Sequence, residues 1–107
     1  MKGFQITFFT EQDRRQGHQQ VQDWLMDLAK AQEIGGVTVT ASAEGIGHRG
    51  KLHSAHLVML TDQPIEVTMI VSDVQAAALF ASIADAKADL FYVKIPVEYG
   101  RTVTAAD

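Results

Sequence analysis

Three glycines, two histidines and two other basic residues crowd one stretch, Gly45-Ile46-Gly47-His48-Arg49-Gly50-Lys51-Leu52-His53-Ser54. Glycines let main-chain N–H groups converge on an anion, and His48, Arg49 and Lys51 stand ready to complement a phosphate. Gly45, Gly47 and Gly50 spell the dinucleotide fingerprint G-x-G-x-x-G, but the context fails. No helix opens after Gly50, and the flanking strands pattern as antiparallel. His48, His53 and His56 offer imidazoles suited to a divalent metal, zinc or copper. No cysteine joins them, and Glu44 and Asp62 lack a diagnostic ligand spacing. On one extended strand His53 and His56 would also point to opposite faces. Ser54 lies beside His53 without a nucleophile elbow or an orienting carboxylate. Glu44 and Glu66 show no pairing for acid–base work. The chemistry expected is therefore binding, with no catalytic residue and no metal site.

A second group sits near the other end of the chain. Lys94, between Val93 and Ile95, is expected mid-strand on the sheet face away from the helices, where a lone cation needs a partner. Glu66 on a neighbouring strand is one candidate and a ligand phosphate is another. Glu98, Tyr99 and Arg101 follow, placed to close over the same cleft. Asp13, Arg14 and Arg15 read as a solvated turn, with an anion contact as the alternative.

The elements that must position these groups follow from periodicity. Phe4, Ile6 and Phe8 alternate with Gln5, Thr7 and Phe9 in a first strand over residues 4–10. The polar run 11–20 is expected to be a loop. Val21, Trp24, Leu25 and Leu28 form the apolar stripe of a helix over residues 21–32, which Gly35 and Gly36 are expected to stop. Val37, Val39, Ala41 and Ala43 face inward on a second strand. Residues 56–60 are expected to be extended, and residues 61–64 to turn. Ile65, Val67, Met69 and Val71 make a third strand. Ser72 and Gln75 form a capping box that starts a second helix. This helix runs to about residue 86, with Val74, Ala77, Phe80, Ile83 and Ala84 as its buried stripe. Phe91, Val93 and Ile95 mark the inward side of a last strand, which Pro96 ends or confines to a sheet edge.

The order predicts an α+β, ferredoxin-like βαββαβ fold with an antiparallel sheet and both helices on one face. A bare face carrying Phe9, Ile70 and Tyr92 among Gln5, Thr7, Thr38, Thr40, Thr68 and Lys94 suits packing against another subunit.

Composition bounds the rest. The chain has 107 residues, which fits a single domain over 1–107, with 47% apolar and 21% charged residues. Its net charge is −4 with scattered basic residues, which argues against nucleic acid as a partner. Absence of cysteine excludes disulfides and thiol chemistry. No signal-like block or run of about 20 apolar residues occurs, so a cytoplasmic location is expected.

Several segments together resemble an uncharacterised family of small PII-related proteins: Gly3 to Thr10 with Asp13-Arg14-Arg15, Ala43 to His48, Leu52 to His56, Asp62 to Val67, and Phe91 to Gly100. The resemblance spans roughly residues 2–101. It implies a PII-like trimer of ferredoxin-like protomers that binds an adenine nucleotide (AMP, ADP or ATP) at inter-subunit clefts, with the 45–56 loop as a switch. Gly45 and Gly47 match the glycines that open this loop in PII proteins. His48 stands where PII proteins carry a cation, and Arg49 follows it. Ala86-Lys87-Ala88-Asp89 replaces a glycine-bearing segment, and Arg101 only loosely matches the basic C-terminal stretch, departures that weigh against ATP. The implied role is a signalling regulator whose nucleotide contact carries over to Gly45 and Gly47; with the residues read above, the candidate set for a small anion is Gly45, Gly47, His48, Arg49, His53, Ser54, Lys94, Glu98 and Arg101. Some members are similar to proteins associated with fluoride-exporter channels, which implies a membrane transporter or channel as a target, with a pure adaptor role as one alternative. A metal-binding protein similar to the copper-tolerance trimers is the other.

Overall fold

The computed structural model describes residues 1–41 and 63–103. Strand β1 (Lys2–Glu11) runs through the middle of the molecule, with Ile6 and Phe8 fully buried and Gln5, Thr7 and Phe9 on the other face. Its alternation reflects one covered and one uncovered side. β1 continues into a short ribbon, β2 (Arg15–Gln16) and β3 (Gln19–Gln20), turning at Gly17 with φ +63°. The loop expected over residues 11–20 is thus partly ordered, because a glycine accepts the left-handed conformation the turn demands.

Helix α1 (Val21–Ala31) buries Val21, Gln22, Leu25 and Ala29, with Trp24 and Leu28 packed at its margin. It does not end at Gly35 or Gly36. Glu33 takes the left-handed conformation at φ +57°, and the Ile34 and Glu33 N–H groups donate to the carbonyls of Ala29 and Lys30. These two bonds make a Schellman cap on a non-glycine residue. The chain then enters β4 (Gly36–Ala41), β5 (Pro64–Ser72), α2 (Asp73–Asp85) and β6 (Phe91–Glu98).

The sheet order is β4-β5-β1-β6, antiparallel throughout. Both helices pack on one face, so the expected ferredoxin-like α+β architecture is present. β6 is an edge strand and tolerates Pro96. The buried stripe of α2 differs from expectation: Ala76, Leu79 and Ile83 are buried with Phe80 beside them, whereas Val74 is 78% exposed and Ala77 and Ala84 face outward. This helix is apolar nearly all round, so periodicity alone could not choose its inner side.

β6 reverses the expected facing. Its register sets Tyr92 opposite Phe8 and Lys94 opposite Ile6, both on the helix side of β1. Phe91, Val93 and Ile95 therefore lie on the open face at 70%, 40% and 47% exposure. The open face carries Phe9, Ile70, Phe91, Val93, Ile95 and Val97 around Thr7, Thr38 and Thr68, and is more apolar than the sequence implied. Ser42 to Asp62 lie outside the described residues, and with them the expected extension of β4 through Ala43.

Candidate functional site

A concavity of about 450 Å³ opens at one end of the sheet, lined by Gly35, Gly36, Ile70, Gln75, Tyr99, Gly100 and Arg101. Each wall has a local cause. The α1 cap delivers the chain into Gly35 and then Gly36, which pairs opposite Ile70. Gln75 occupies the third position of α2, and its capping box with Ser72 is complete: Ser72 N–H donates to Gln75 Oε1 (2.9 Å) and Gln75 N–H donates to Ser72 Oγ (3.1 Å). The same side chain donates through Nε2 to the carbonyls of Gln32 (3.2 Å) and Glu33 (3.4 Å). One glutamine thereby joins the start of α2 to the end of α1.

Tyr99 is anchored by reciprocal main-chain bonds with Met1, each 2.8 Å long. Its ring lies over Gly3, where an added Cβ would come 3.0 Å from Tyr99 Cε1 and clash with the Val71 carbonyl. Only glycine permits that approach. Arg101 follows, exposed at the rim. The lining holds a guanidinium, a phenol and an amide but no carboxylate, with Ile70 as an apolar wall. The guanidinium, phenol and amide are hydrogen-bond donors of the kind that anions accept from.

The cleft expected from Lys94, Glu98, Tyr99 and Arg101 does not form as one unit. Lys94 faces the helices, not the open side: its Nζ lies 4.3 Å from the Phe4 ring centroid and 5.6 Å from that of Phe80. Cation–π contact takes the place of the expected ion pair. Glu66 sits opposite Phe9 and Thr40 on the open face, so it cannot be the partner of Lys94. Glu98 is exposed opposite Lys2, four residues from Lys94 and so about 13 Å along the strand. Arg101 and Tyr99 alone of this group line the concavity.

Arg14 and Arg15 are held by main-chain carbonyls. Arg14 donates to the Asp89 carbonyl and Arg15 to that of His18 (3.1 Å), while Gln16 donates to that of Ala86 (3.3 Å). Gly45, Gly47, His48, Arg49, His53, Ser54 and His56 lie outside the described residues. Among the described residues no group of three or more potential ligands could hold a metal ion.

Sequence reasoning missed Gly35, Gly36 and Gln75 as lining residues. Gly3 inside a strand was a usable signal, since a glycine there marks a close approach, here by the Val71 carbonyl with the Tyr99 ring beside it.

Solved structures share this fold. CPII of Thiomonas intermedia K12, a nitrogen regulatory PII-like protein determined with ADP, AMP and bicarbonate, is 17% identical, with a TM-score of 0.64 covering 94% of this chain and 91% of CPII. A PII-like protein of Thermus thermophilus is also 17% identical, with a TM-score of 0.64 over 91% of this chain and 88% of its own. A DUF3240 family protein of Shewanella baltica OS155 is 16% identical, with a TM-score of 0.60 over 97% and 100%. No curated protein matches the sequence. The profile of DUF190 (Uncharacterized ACR, COG1993) matches residues 3–98, so the chain belongs to that family.

Proposed function

We propose that this protein is a PII-like regulator that self-associates through its open sheet face and binds a small anionic ligand, an adenine nucleotide, where subunits meet. The observation that carries this reading is the dual position of Ile70, which belongs to the apolar open face and also walls the concavity beside Arg101. A neighbour covering that face would roof the concavity and exclude water from the guanidinium, strengthening its hold on a phosphate. The shared fold with CPII, determined with ADP and AMP, favours those nucleotides.

In this reading Gly45, Gly47, His48 and Arg49 supply further phosphate contacts and the segment they belong to is the switch. Its target is a membrane transporter or channel, and no catalysis is involved. Calorimetry against AMP, ADP, ATP and bicarbonate tests it. Binding of at least one nucleotide is expected, weakened about tenfold or more by Arg101→Ala, as the loss of a charge-assisted hydrogen bond requires. No heat with any of them at near-millimolar protein overturns the reading.

A further inference from the structure

Gln75 engages three main-chain groups whose hydrogen-bonding character cannot change. Its Oε1 accepts from the Ser72 N–H, and its Nε2 donates to the carbonyls of Gln32 and Glu33. Gln32 is the C-cap of α1 and Ser72 the N-cap of α2, so these groups lie at helix ends, where main-chain donors and acceptors lack intrahelical partners. Turning the amide over would set Nε2 against the Ser72 N–H and Oε1 against the two carbonyls. Donor would meet donor, and acceptor would meet acceptor. The two helix ends therefore hold the Gln75 amide in one sense, which the amide by itself does not prefer.

A side-chain amide carries two hydrogens on nitrogen and two lone pairs on oxygen. Two carbonyls engage the nitrogen of Gln75, and among the described residues its oxygen accepts from Ser72 alone. What remains is an acceptor position, on a half-buried side chain that lines the concavity. The other lining side chains do not duplicate it. Arg101 only donates, Ile70 offers nothing polar, and the Tyr99 hydroxyl can serve either way. The concavity thus combines a cationic donor at Arg101 with a fixed acceptor at Gln75.

We infer that Gln75 determines specificity: it demands, of the anion that Arg101 holds, an N–H or O–H donor, which in a nucleotide is the base amino group or a ribose hydroxyl. This inference rests on the nucleotide binding proposed above and adds which part of the ligand is read. A ligand lacking the donor leaves the Gln75 oxygen unpartnered once water is excluded. Sites of this kind reject such analogues far more strongly than an apolar pocket rejects a missing methylene. The tether also makes the reading strict, because turning the amide to suit a ligand acceptor breaks its bonds to both helices.

Calorimetry compares ADP with 2′-deoxy-ADP, 3′-deoxy-ADP and purine riboside diphosphate, which lacks the base amino group. The analogue missing the donor that Gln75 reads is expected to bind about tenfold or more weakly than ADP. The arm that weakens tells whether base or ribose supplies the donor. Gln75→Met, with unchanged circular dichroism, is expected to abolish that preference, so that ADP and the analogue bind alike. Ser72→Ala weakens the same helix start but keeps the Ser72 N–H on Oε1, and the preference persists in it. A merely structural glutamine would lower the affinity for every nucleotide together and leave the ratios intact, a result that overturns the inference. Equal binding of ADP and all its analogues by the wild-type protein overturns it without any variant, and leaves the nucleotide-binding reading standing. No binding of any of them overturns both.

Discussion

Tyr92 packs against Phe80 of α2 with ring centroids 4.8 Å apart and planes tilted by 57°, and this contact decides which side of β6 meets the helices. Phe8 completes the cluster, 5.9 Å from Phe80 and 6.4 Å from Tyr92. Such aromatic pairs contribute about 0.5–1.5 kcal/mol beyond their burial. Phe91 is released to the open face, where it meets Phe9 at 5.5 Å.

That release makes the open face testable. Val93→Asp places a carboxylate where the protomer leaves Val93 40% exposed, so the isolated fold tolerates it. Burial against a neighbour would leave the charge unpaired at a cost of several kcal/mol. The expected outcome is a folded monomer by sedimentation, with wild-type circular dichroism. An unchanged oligomer would remove the open face from the interface.

Gly3→Ala is expected to cost about 1–3 kcal/mol in urea unfolding, the range for forcing extra atoms into filled space. The new Cβ would press on the Val71 carbonyl and the Tyr99 ring. Because Tyr99 walls the concavity, nucleotide affinity should fall as well.

Lys87 ends α2 as Glu33 ends α1, at φ +55° with the Ala88 and Lys87 N–H groups donating to the carbonyls of Ile83 and Ala84. A side chain in that conformation costs about 1 kcal/mol, partly offset by the chain entropy that glycine would add to the unfolded state. Lys87→Gly should therefore stabilise the protein by about 0.5 kcal/mol. Thermal unfolding checks the sign, and a lowered midpoint would show that the lysine side chain itself contributes.

Gln75→Ala should destabilise more than Ser72→Ala. Losing the serine cap costs about 1 kcal/mol. Losing the glutamine removes its bond to Ser72 N–H and both bonds to the carbonyls at the end of α1, for about 2 kcal/mol in all. Equal losses in parallel denaturant titrations would mean that the tether between helices contributes nothing.

The residue pattern alone settled several things. β1 and β5 alternate cleanly because one face is buried and the other is not, so Ile6, Phe8, Val67 and Met69 could be assigned to the core from spacing. The capping box at Ser72 and Gln75 is a local signal and needs no tertiary information. Ferredoxin-like element order followed from these pieces. Folding decided what local signals could not. In Phe91-Tyr92-Val93-Lys94-Ile95 the more apolar side lies on the open face while Tyr92 and Lys94 take the helix side, so alternation points the wrong way, and only pairing with β1 and the Phe80 ring sets the side. Arg101 lines one concavity with Gly36 and Ile70, distant in the chain, because the β1–β6 register and the Tyr99–Met1 bonds carry it there. Periodicity reports which faces are buried, whereas contacts distant in sequence require the register that assembly of the whole sheet imposes.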